Sequence, residues 1–260
     1  MEFLVGFIIA IAISLTGVGA GSMTTPVLIL FLRVPPTIAV GTALAFGAIV
    51  KIATVPMYAA RRQVNFRVLR ILLIGGLPGV LLGSILLDRL KRGPYQGILY
   101  AALGSLIVAM AAFHLYRVFR PAPRSANRDR SHLLPWFSFP IGAEVGFSSA
   151  GAGALGSLML LSLTSLTAAE VVGTDLCFGL GVSLTGSIVQ IGAGNYDAAL
   201  LFKLVIGGLC GAFTGSLLAN KIPQRPLRIC LLIILIALGA QLTIHADTHQ
   251  PVRTYQAAIH

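Results

Sequence analysis

Long apolar segments that carry almost no charge are the feature that most constrains the fold of this chain. Eight of them can be drawn, at residues 3–32, 37–59, 68–87, 95–117, 133–164, 168–190, 199–219 and 226–245. Only 10% of the 260 residues are charged, whereas soluble domains carry about 25%. A lipid environment explains this deficit, because a membrane-spanning helix needs about 20 predominantly apolar residues. We therefore predict an all-α polytopic membrane protein.

The first and fifth segments are interrupted by runs of glycine and hydroxyl residues, at Thr16–Ser22 and at 146–153. Each glycine costs about 1 kcal/mol in a helix interior. The apolar part before the first break, Phe3–Leu15, rises only about 20 Å as a helix, which is less than the bilayer core of about 30 Å. We predict half-helices joined by unwound backbone. Each broken segment could cross the bilayer or could re-enter and return to the same side.

The two halves of the chain repeat at one constant offset of 132 residues. The matching motifs are Gly19 to Gly21 with Gly151 to Gly153, Val40 to Thr42 with Val172 to Thr174, Phe46 with Phe178, Gly75 to Gly79 with Gly207 to Gly211, Gly83 with Gly215, and Pro94 with Pro226. Chance similarity between glycine-rich segments does not hold one offset without a gap, and internal duplication is common in secondary transporters. We predict two tandem four-segment repeats at 1–117 and 132–245, a basic linker at 118–131 and a polar tail at 246–260.

The net charge of +11 is spread over short clusters between the apolar segments. Such clusters are typical of membrane topology signals and unlike a nucleic-acid surface. If the broken segments re-enter, one side of the membrane collects twelve Lys and Arg residues and the other six; if they cross, the split is eleven and seven. The positive-inside rule then favours re-entrance, inverted repeats and a cytoplasmic linker, while parallel repeats with eight crossings stay open. The expected location is a bacterial-type inner (plasma) membrane.

Four stretches and their duplicates carry a family resemblance: Gly17–Ser22, Val40–Thr42, Arg61–Asn65 and Gly75–Ser84. Their order and spacing resemble the sulfite exporter TauE/SafE family over essentially the whole chain. The resemblance implies a secondary transporter, expected to export sulfite, another sulfur oxyanion or an organosulfonate. The second copy departs from the first where Pro26, Pro78 and Lys51 become Leu158, Cys210 and Ser183, so the halves need not contribute equally to a site.

The two glycine breaks are the candidate substrate site. Unwound backbone at membrane depth is tolerated where it lines protein or a watery cavity, and the half-helix that follows directs N–H groups and a positive dipole end at that cavity. Two facing breaks could therefore bind an oxyanion, with hydroxyl donors that include Thr25 and Ser157. The predicted substrate-binding residues are Thr16, Gly17, Gly19, Gly21, Ser22, Thr24, Thr42, Ser148, Ser149, Gly151, Gly153 and Thr174. The alternative is close helix packing through small residues.

Three ionisable residues inside apolar segments are candidates for coupling or charge pairing, because each is costly to insert into a membrane. Asp175 could carry a coupling proton, could pair with Lys51, or could lie near the interface. Lys51 could meet the substrate or could extend to the interface. Glu144 precedes the second break. Thr167 and Glu170, by contrast, have the spacing of a capping box that opens the sixth segment.

The motifs of several enzyme classes are missing from the sequence. It has no GxxxxGK[ST] phosphate loop, no metal-ligand cluster and no Ser/His/Asp set at a suitable spacing. We expect no enzymatic activity, no cofactor and no metal, and uphill transport would need an ion gradient of protons or sodium. Two other functions remain: a non-transporting membrane accessory protein, and a passive anion channel.

Overall fold

The computed structural model describes residues 2–16, 20–91, 96–119, 131–150, 153–218 and 224–244. These parts of the chain form ten α-helices and one 3₁₀ turn, Ser131–Leu133, and contain no β-strand. The helices are α1 Glu2–Thr16, α2 Ala20–Leu30, α3 Pro36–Ala60, α4 Phe66–Lys91, α5 Gln96–Phe119, α6 Leu134–Ser148, α7 Ala154–Leu163, α8 Ala168–Gly192, α9 Ala198–Leu218 and α10 Gln224–Ile244. The prediction of an all-α protein is confirmed. Most of the linker and the tail lie outside the described residues.

Four of the described helices are long and apolar enough to span a bilayer: α3, α4, α8 and residues 97–119 of α5. Many large apolar side chains also face outward, among them Ile74 on α4 and Phe202 on α9. An outer surface of this kind suits hydrocarbon and would be costly in water. The chain is thus a multi-pass integral membrane protein.

Local sequence signals explain where several helices begin and end. Pro36 opens α3, where its missing N–H group costs nothing because the first N–H groups of a helix have no partner within it. Thr167 and Glu170 form the predicted capping box at the start of α8, so that prediction is confirmed. Ser149 ends α6 in the left-handed conformation, with φ of 60°.

The helices α3 and α8 run antiparallel. Gly41, near the start of α3, touches the backbone of Asn195 just after α8, and Gly173, near the start of α8, touches the backbone of Gln63 just after α3. The bundle therefore has two ends. We call the one at the start of α3 the Asn195 end and the one at the start of α8 the Gln63 end.

Helices α6 and α7 begin and end on the same side of the bundle. A small surface cavity at the Gln63 end is lined by Asn65, by Ser131 ahead of α6, and by Thr164 directly after α7. The chain thus enters the bundle along α6, turns near Ser149 and leaves along α7 at the end where it entered.

Helices α1 and α2 have the corresponding arrangement at the Asn195 end. The carboxylate of Glu2 forms an ion pair of 2.7 Å with the ammonium group of Lys203, which lies in the second turn of α9, the helix that starts from this end. After α2, a short connection at 31–35 leads directly to the start of α3. Both ends of the α1–α2 segment are therefore near the Asn195 end.

Glycines on α4 and α9 let these helices approach the first half-helix of the opposite half of the chain. A methyl group at Gly79 of α4 would collide with the carbonyl oxygen of Phe139 on α6. In the same way, a methyl group at Gly211 of α9 would collide with the carbonyl oxygen of Phe7 on α1. These glycines act through close backbone packing, which membrane helices use routinely.

Candidate functional site

The two interrupted segments meet at one hydrogen bond. The hydroxyl oxygens of Thr25, in the second turn of α2, and Ser149, directly after α6, lie 2.6 Å apart. Thr25 is fully buried and Ser149 nearly so. Residues 124 positions apart in the chain, from the two halves, thus form a common polar point inside the bundle.

The backbone at the end of α6 is held by local hydrogen bonds. The hydroxyl of Ser148 donates to the carbonyl of Glu144 at 3.1 Å and accepts from the N–H group of Ala150 at 3.2 Å. Ser149 has a φ of 60°, and a non-glycine residue in this left-handed region costs about 1–2 kcal/mol. Residues held in such conformations cluster at functional sites.

Helix α7 begins at Ala154, five residues after Ser149. Gly153 precedes the helix and has no side chain that could cap it. The first N–H groups of a helix carry the positive end of its dipole. The start of α7 therefore favours negative charge near the second break.

Asp175 on α8 lies next to the first turns of α7. Its carboxylate oxygen Oδ2 is 2.6 Å from the hydroxyl oxygen of Ser157, which is also 2.9 Å from the carbonyl oxygen of Gly153. The Asp175 side chain is only 5% exposed, and its other oxygen, Oδ1, has no hydrogen-bond partner among the described residues. A methyl group at Gly156 would collide with Oδ1, so the glycine provides the space for this carboxyl group.

Lys51 crosses from α3 to the same face of α8. Its ammonium group donates to the hydroxyl of Ser183 at 2.8 Å and to the carbonyl of Gly179 at 3.3 Å. Asp175, Gly179 and Ser183 are spaced by four residues and so share one helix face. The lysine stem passes over Gly179, and Lys51 interacts electrostatically with Asp175 without a direct hydrogen bond.

Lys51 lies within the membrane-spanning part of α3. It is about 22 Å from the start of the helix and about 14 Å from its end, at a rise of about 1.5 Å per residue. Its hydrogen bonds lead inward to α8. The geometry favours an interior role over the extension to the interface that the sequence also allowed.

Glu144 on α6 is a third ionisable residue in the interior. It is half-buried, and its oxygen Oε1 has no hydrogen-bond partner in the described part of the chain. Among the described residues, no group of three or more His, Cys, Asp or Glu side chains could hold a metal ion.

The matching threonines Thr42 and Thr174 each accept a hydrogen bond from the backbone of a loop. The hydroxyl of Thr42 accepts from the N–H group of Asp197 at 3.2 Å, and the hydroxyl of Thr174 accepts from the N–H group of Asn65 at 3.0 Å. Both are fully buried. These contacts favour the packing alternative for the two threonines.

Other predicted residues of the breaks are described only in part. Gly17, Gly19 and Gly151 lie outside the described residues, and only the helical backbone is described for Thr16, Gly21 and Ser22. Thr24, two turns before the end of α2, is fully buried.

Comparison with known proteins identifies the family of this chain. The family described as "Sulfite exporter TauE/SafE" matches residues 2–242. The chain belongs to the TauE/SafE family. Among its relatives is the Bacillus subtilis protein named "Probable membrane transporter protein YjnA", which is 28% identical over 92% of this chain and 97% of its own length. A second from the same organism, "Probable membrane transporter protein YdhB", is 25% identical over 86% of this chain and 92% of its own.

A further relative from Xylella fastidiosa, also named "Probable membrane transporter protein", is 27% identical over 84% of this chain and 83% of its own length. No solved structure matches the chain. Membership of the TauE/SafE family and these relatives make the chain a membrane transporter.

Sequence reasoning missed a polar cluster at the Asn195 end of this TauE/SafE protein. The side-chain amide of Asn195 accepts from Lys91, and donates to Gln190 at 2.8 Å and to Asp88 at 3.3 Å. The cluster ties the loop after α8 to the C-terminal turns of α4. The cluster could have been predicted from Gln190, because a side-chain amide inside an apolar helix needs a polar partner.

Proposed function

We propose that the protein is a secondary transporter that exports a small anion, such as sulfite, another sulfur oxyanion or an organosulfonate. The observation that carries the proposal is the Thr25–Ser149 hydrogen bond, because it joins the two breaks a few residues ahead of the N-terminus of α7. Hydroxyl donors and helix N–H groups bind oxyanions without a full countercharge. The description of the family supports the choice of substrate and the direction.

The proposed mechanism is alternating access around the two breaks. The site includes Thr25 and Ser149 together with the glycines and hydroxyls of the breaks that the sequence predicts. Backbone interrupted at membrane depth and enclosed by protein is a common way to build a transporter site. The transport is coupled to the movement of an ion, a proton or sodium.

Inverted repeats are the proposed architecture, with the two halves at 1–117 and 132–245. The antiparallel course of α3 and α8, whose first residues Pro36 and Ala168 are 132 positions apart, supports it. Six helices would cross the bilayer, and α1–α2 and α6–α7 would re-enter from opposite sides. Exposed arginines at the Gln63 end, such as Arg61 and Arg62, support a cytoplasmic location of this end by the positive-inside rule.

The test is transport by the purified protein in proteoliposomes. Efflux and uptake of labelled sulfite, sulfate, thiosulfate and small sulfonates are measured with and without a proton or sodium gradient. We expect flux of at least one of these anions, and loss of that flux in Gly153→Leu, which fills the break ahead of α7. Gly192→Leu is the matched control, because nothing lies within 4 Å of a Cβ placed there.

Both variants must first show the elution volume and thermal unfolding of a folded protein. Unchanged flux in folded Gly153→Leu would contradict a site at the breaks. Absence of flux for every anion tested would contradict the proposed function. A voltage-driven current without ion coupling would indicate a channel instead.

A further inference from the structure

A chain of polar groups leads from the second break to the middle of α3. It begins at the carbonyl of Gly153 and passes through the hydroxyl of Ser157 to the carboxyl of Asp175. The ammonium group of Lys51 follows, in electrostatic interaction with Asp175 and hydrogen-bonded to Ser183. Lys51 of α3 therefore brings a positive charge to the face of α8 that carries Asp175. This pair of opposite charges lies next to the proposed substrate site.

The hydroxyl of Ser157 has one hydrogen but two neighbouring acceptors. With Asp175 ionised, that hydrogen can go to Oδ2 at 2.6 Å or to the carbonyl of Gly153 at 2.9 Å, and one of these acceptors loses its bond. With a proton on Oδ2, Asp175 donates to Ser157 and Ser157 donates to Gly153, so both hydrogen bonds form. The same geometry thus accommodates both the protonated and the ionised form of Asp175.

The charges of the site can balance in two ways. When Asp175 is ionised and no anion is bound, its charge cancels that of Lys51. When Asp175 is protonated, Lys51 is left with an uncompensated charge, which a bound monoanion cancels. An unbalanced charge inside a membrane is costly. Both neutral states are favoured over a site that holds the proton without the anion, or the anion without the proton.

We propose that Asp175 is a proton-binding residue that couples the movement of one monoanion to the movement of one proton, with Lys51 as the countercharge of the anion. This rests on the proposed function as an anion transporter. A proton from water forms an O–H bond at Oδ2 of Asp175, the hydrogen of Ser157 turns to the carbonyl of Gly153, and the anion replaces the carboxylate as the partner of Lys51. The reverse step on the other side of the membrane releases both, so transport is electroneutral.

The balance is one anion to one proton when the other charged groups near Asp175 keep the same charge in both states. Of the helices packed against α8, α3 contributes Lys51, α7 has no ionisable side chain, and α6 contributes Glu144. Lys51 is the charged group that interacts with Asp175 in the described part of the chain. The charged residues of α4 lie toward its two ends, at Arg67, Arg70, Asp88, Arg89 and Lys91.

The direction of flux follows from the sum of the two gradients. A concentrated internal anion leaves together with a proton, and an inward proton gradient opposes that export. The proposed coupling therefore allows export when the anion accumulates inside, and net uptake when it does not. The proposed coupling also predicts that the rate of anion transport does not depend on membrane potential, because the loaded site and the empty site are both neutral.

The test uses the full chain in proteoliposomes, with labelled sulfite as the probe at a pH where bisulfite predominates, and a pH-sensitive dye inside the vesicles. For the wild type we expect about one proton per anion and no effect of a potassium diffusion potential. Asp175→Asn mimics the protonated carboxyl, since its amide can donate to Ser157. This variant should exchange internal for external anion at a pH-independent rate, but should lose gradient-driven accumulation.

Two further variants keep the test decisive. Lys51→Gln should lose anion exchange as well as accumulation, because the countercharge is gone. Glu170→Gln, a control in which a carboxyl group in the first turn of α8 becomes an amide, should keep accumulation. If Asp175→Asn does not fold, Ser157→Ala replaces it. The pH midpoint of flux in Ser157→Ala should differ from that of the wild type.

The outcomes separate this inference from the proposed function. Wild-type anion flux that carries no proton, or that follows the membrane potential, overturns the inference and leaves an anion transporter. So does proton-coupled accumulation in Asp175→Asn, an unshifted pH midpoint in Ser157→Ala, or loss of accumulation in Glu170→Gln. Absence of flux for every anion in the wild type overturns the proposed function together with the inference.

Discussion

Thr25 and Ser149 join the two halves of this protein through a buried hydrogen bond of 2.6 Å between their hydroxyl groups. One residue belongs to α2 and the other ends α6, so each side of the bond is part of an interrupted segment. A buried hydroxyl that loses its partner costs free energy. The bond therefore stabilises the contact between the breaks as well as marking the proposed site.

Loss of the Thr25 hydroxyl should weaken this contact measurably. Thr25→Val keeps the side-chain shape and leaves Ser149 without this partner, so we expect unfolding to become easier by about 1–3 kcal/mol. Ser149→Ala removes the other hydroxyl. The double variant should cost less than the sum of the two, by about 1 kcal/mol, as measured by thermal unfolding in detergent. Strict additivity would mean that the two hydroxyls do not interact.

Glycines in close helix contacts should tolerate no side chain. In Gly79→Ala the new methyl group would meet the carbonyl oxygen of Phe139, so the helices must shift, at a cost of about 1–3 kcal/mol. Gly192→Ala has open space and should be neutral or stabilising by up to about 1 kcal/mol. The comparison is made by thermal unfolding, and equal stability of the two variants would contradict the packing of α4 on α6.

The start of α8 should depend on its capping box. Thr167→Ala removes the hydroxyl that accepts from the N–H group of Glu170, and this should cost about 0.5–2 kcal/mol. Glu170→Gln keeps a group that can accept from the N–H group of Thr167, and should cost less. Denaturation of both variants is measured in the same detergent. A larger loss of stability in Glu170→Gln than in Thr167→Ala would contradict this expectation.

Re-entrance of α6 and α7 predicts which positions share a side of the membrane. In a variant without Cys177, Cys210 and Cys230, single cysteines are placed at exposed positions and tested with a membrane-impermeant maleimide in intact cells and in opened membranes. Cysteines at Arg62 and Ser165 should react only in opened membranes, and a cysteine at Tyr196 should react in intact cells. Opposite accessibility of Arg62 and Ser165 would mean that the α6–α7 segment crosses the bilayer.

Helix positions were largely predictable from the sequence. The predicted segment 37–59 corresponds to α3, Pro36–Ala60, and 168–190 corresponds to α8, Ala168–Gly192. The reason is local: Pro36 and the Thr167 capping box open these helices, and an apolar run of about 20 residues is a strong signal. The existence and the approximate bounds of these helices therefore follow from residues that are close together in the chain.

Helix partners were not predictable in the same way. The sequence shows that α4 is rich in glycine, but nothing local identifies Phe139 on α6 as the neighbour of Gly79. The hydroxyl of Thr42 could have faced a cavity, and it holds Asp197 of the other half instead. The charge counts for the two topologies differed by one residue, whereas the contacts at the ends of α3 and α8 distinguish their directions directly.

The hydrogen bond from Lys51 to Ser183 spans 132 residues, which is the offset of the repeat that the sequence predicts. In the proposed architecture of two repeats, the same position in both copies falls at one place in the molecule. A lysine in each copy would bring two ammonium groups together, at a repulsion of about 4 kcal/mol for a separation of about 4 Å near a protein surface. A symmetric dimer of the first half would suffer that repulsion, whereas two fused copies can diverge. In that architecture, fusion of the two copies into one chain permits a lysine in one copy and a serine in the other.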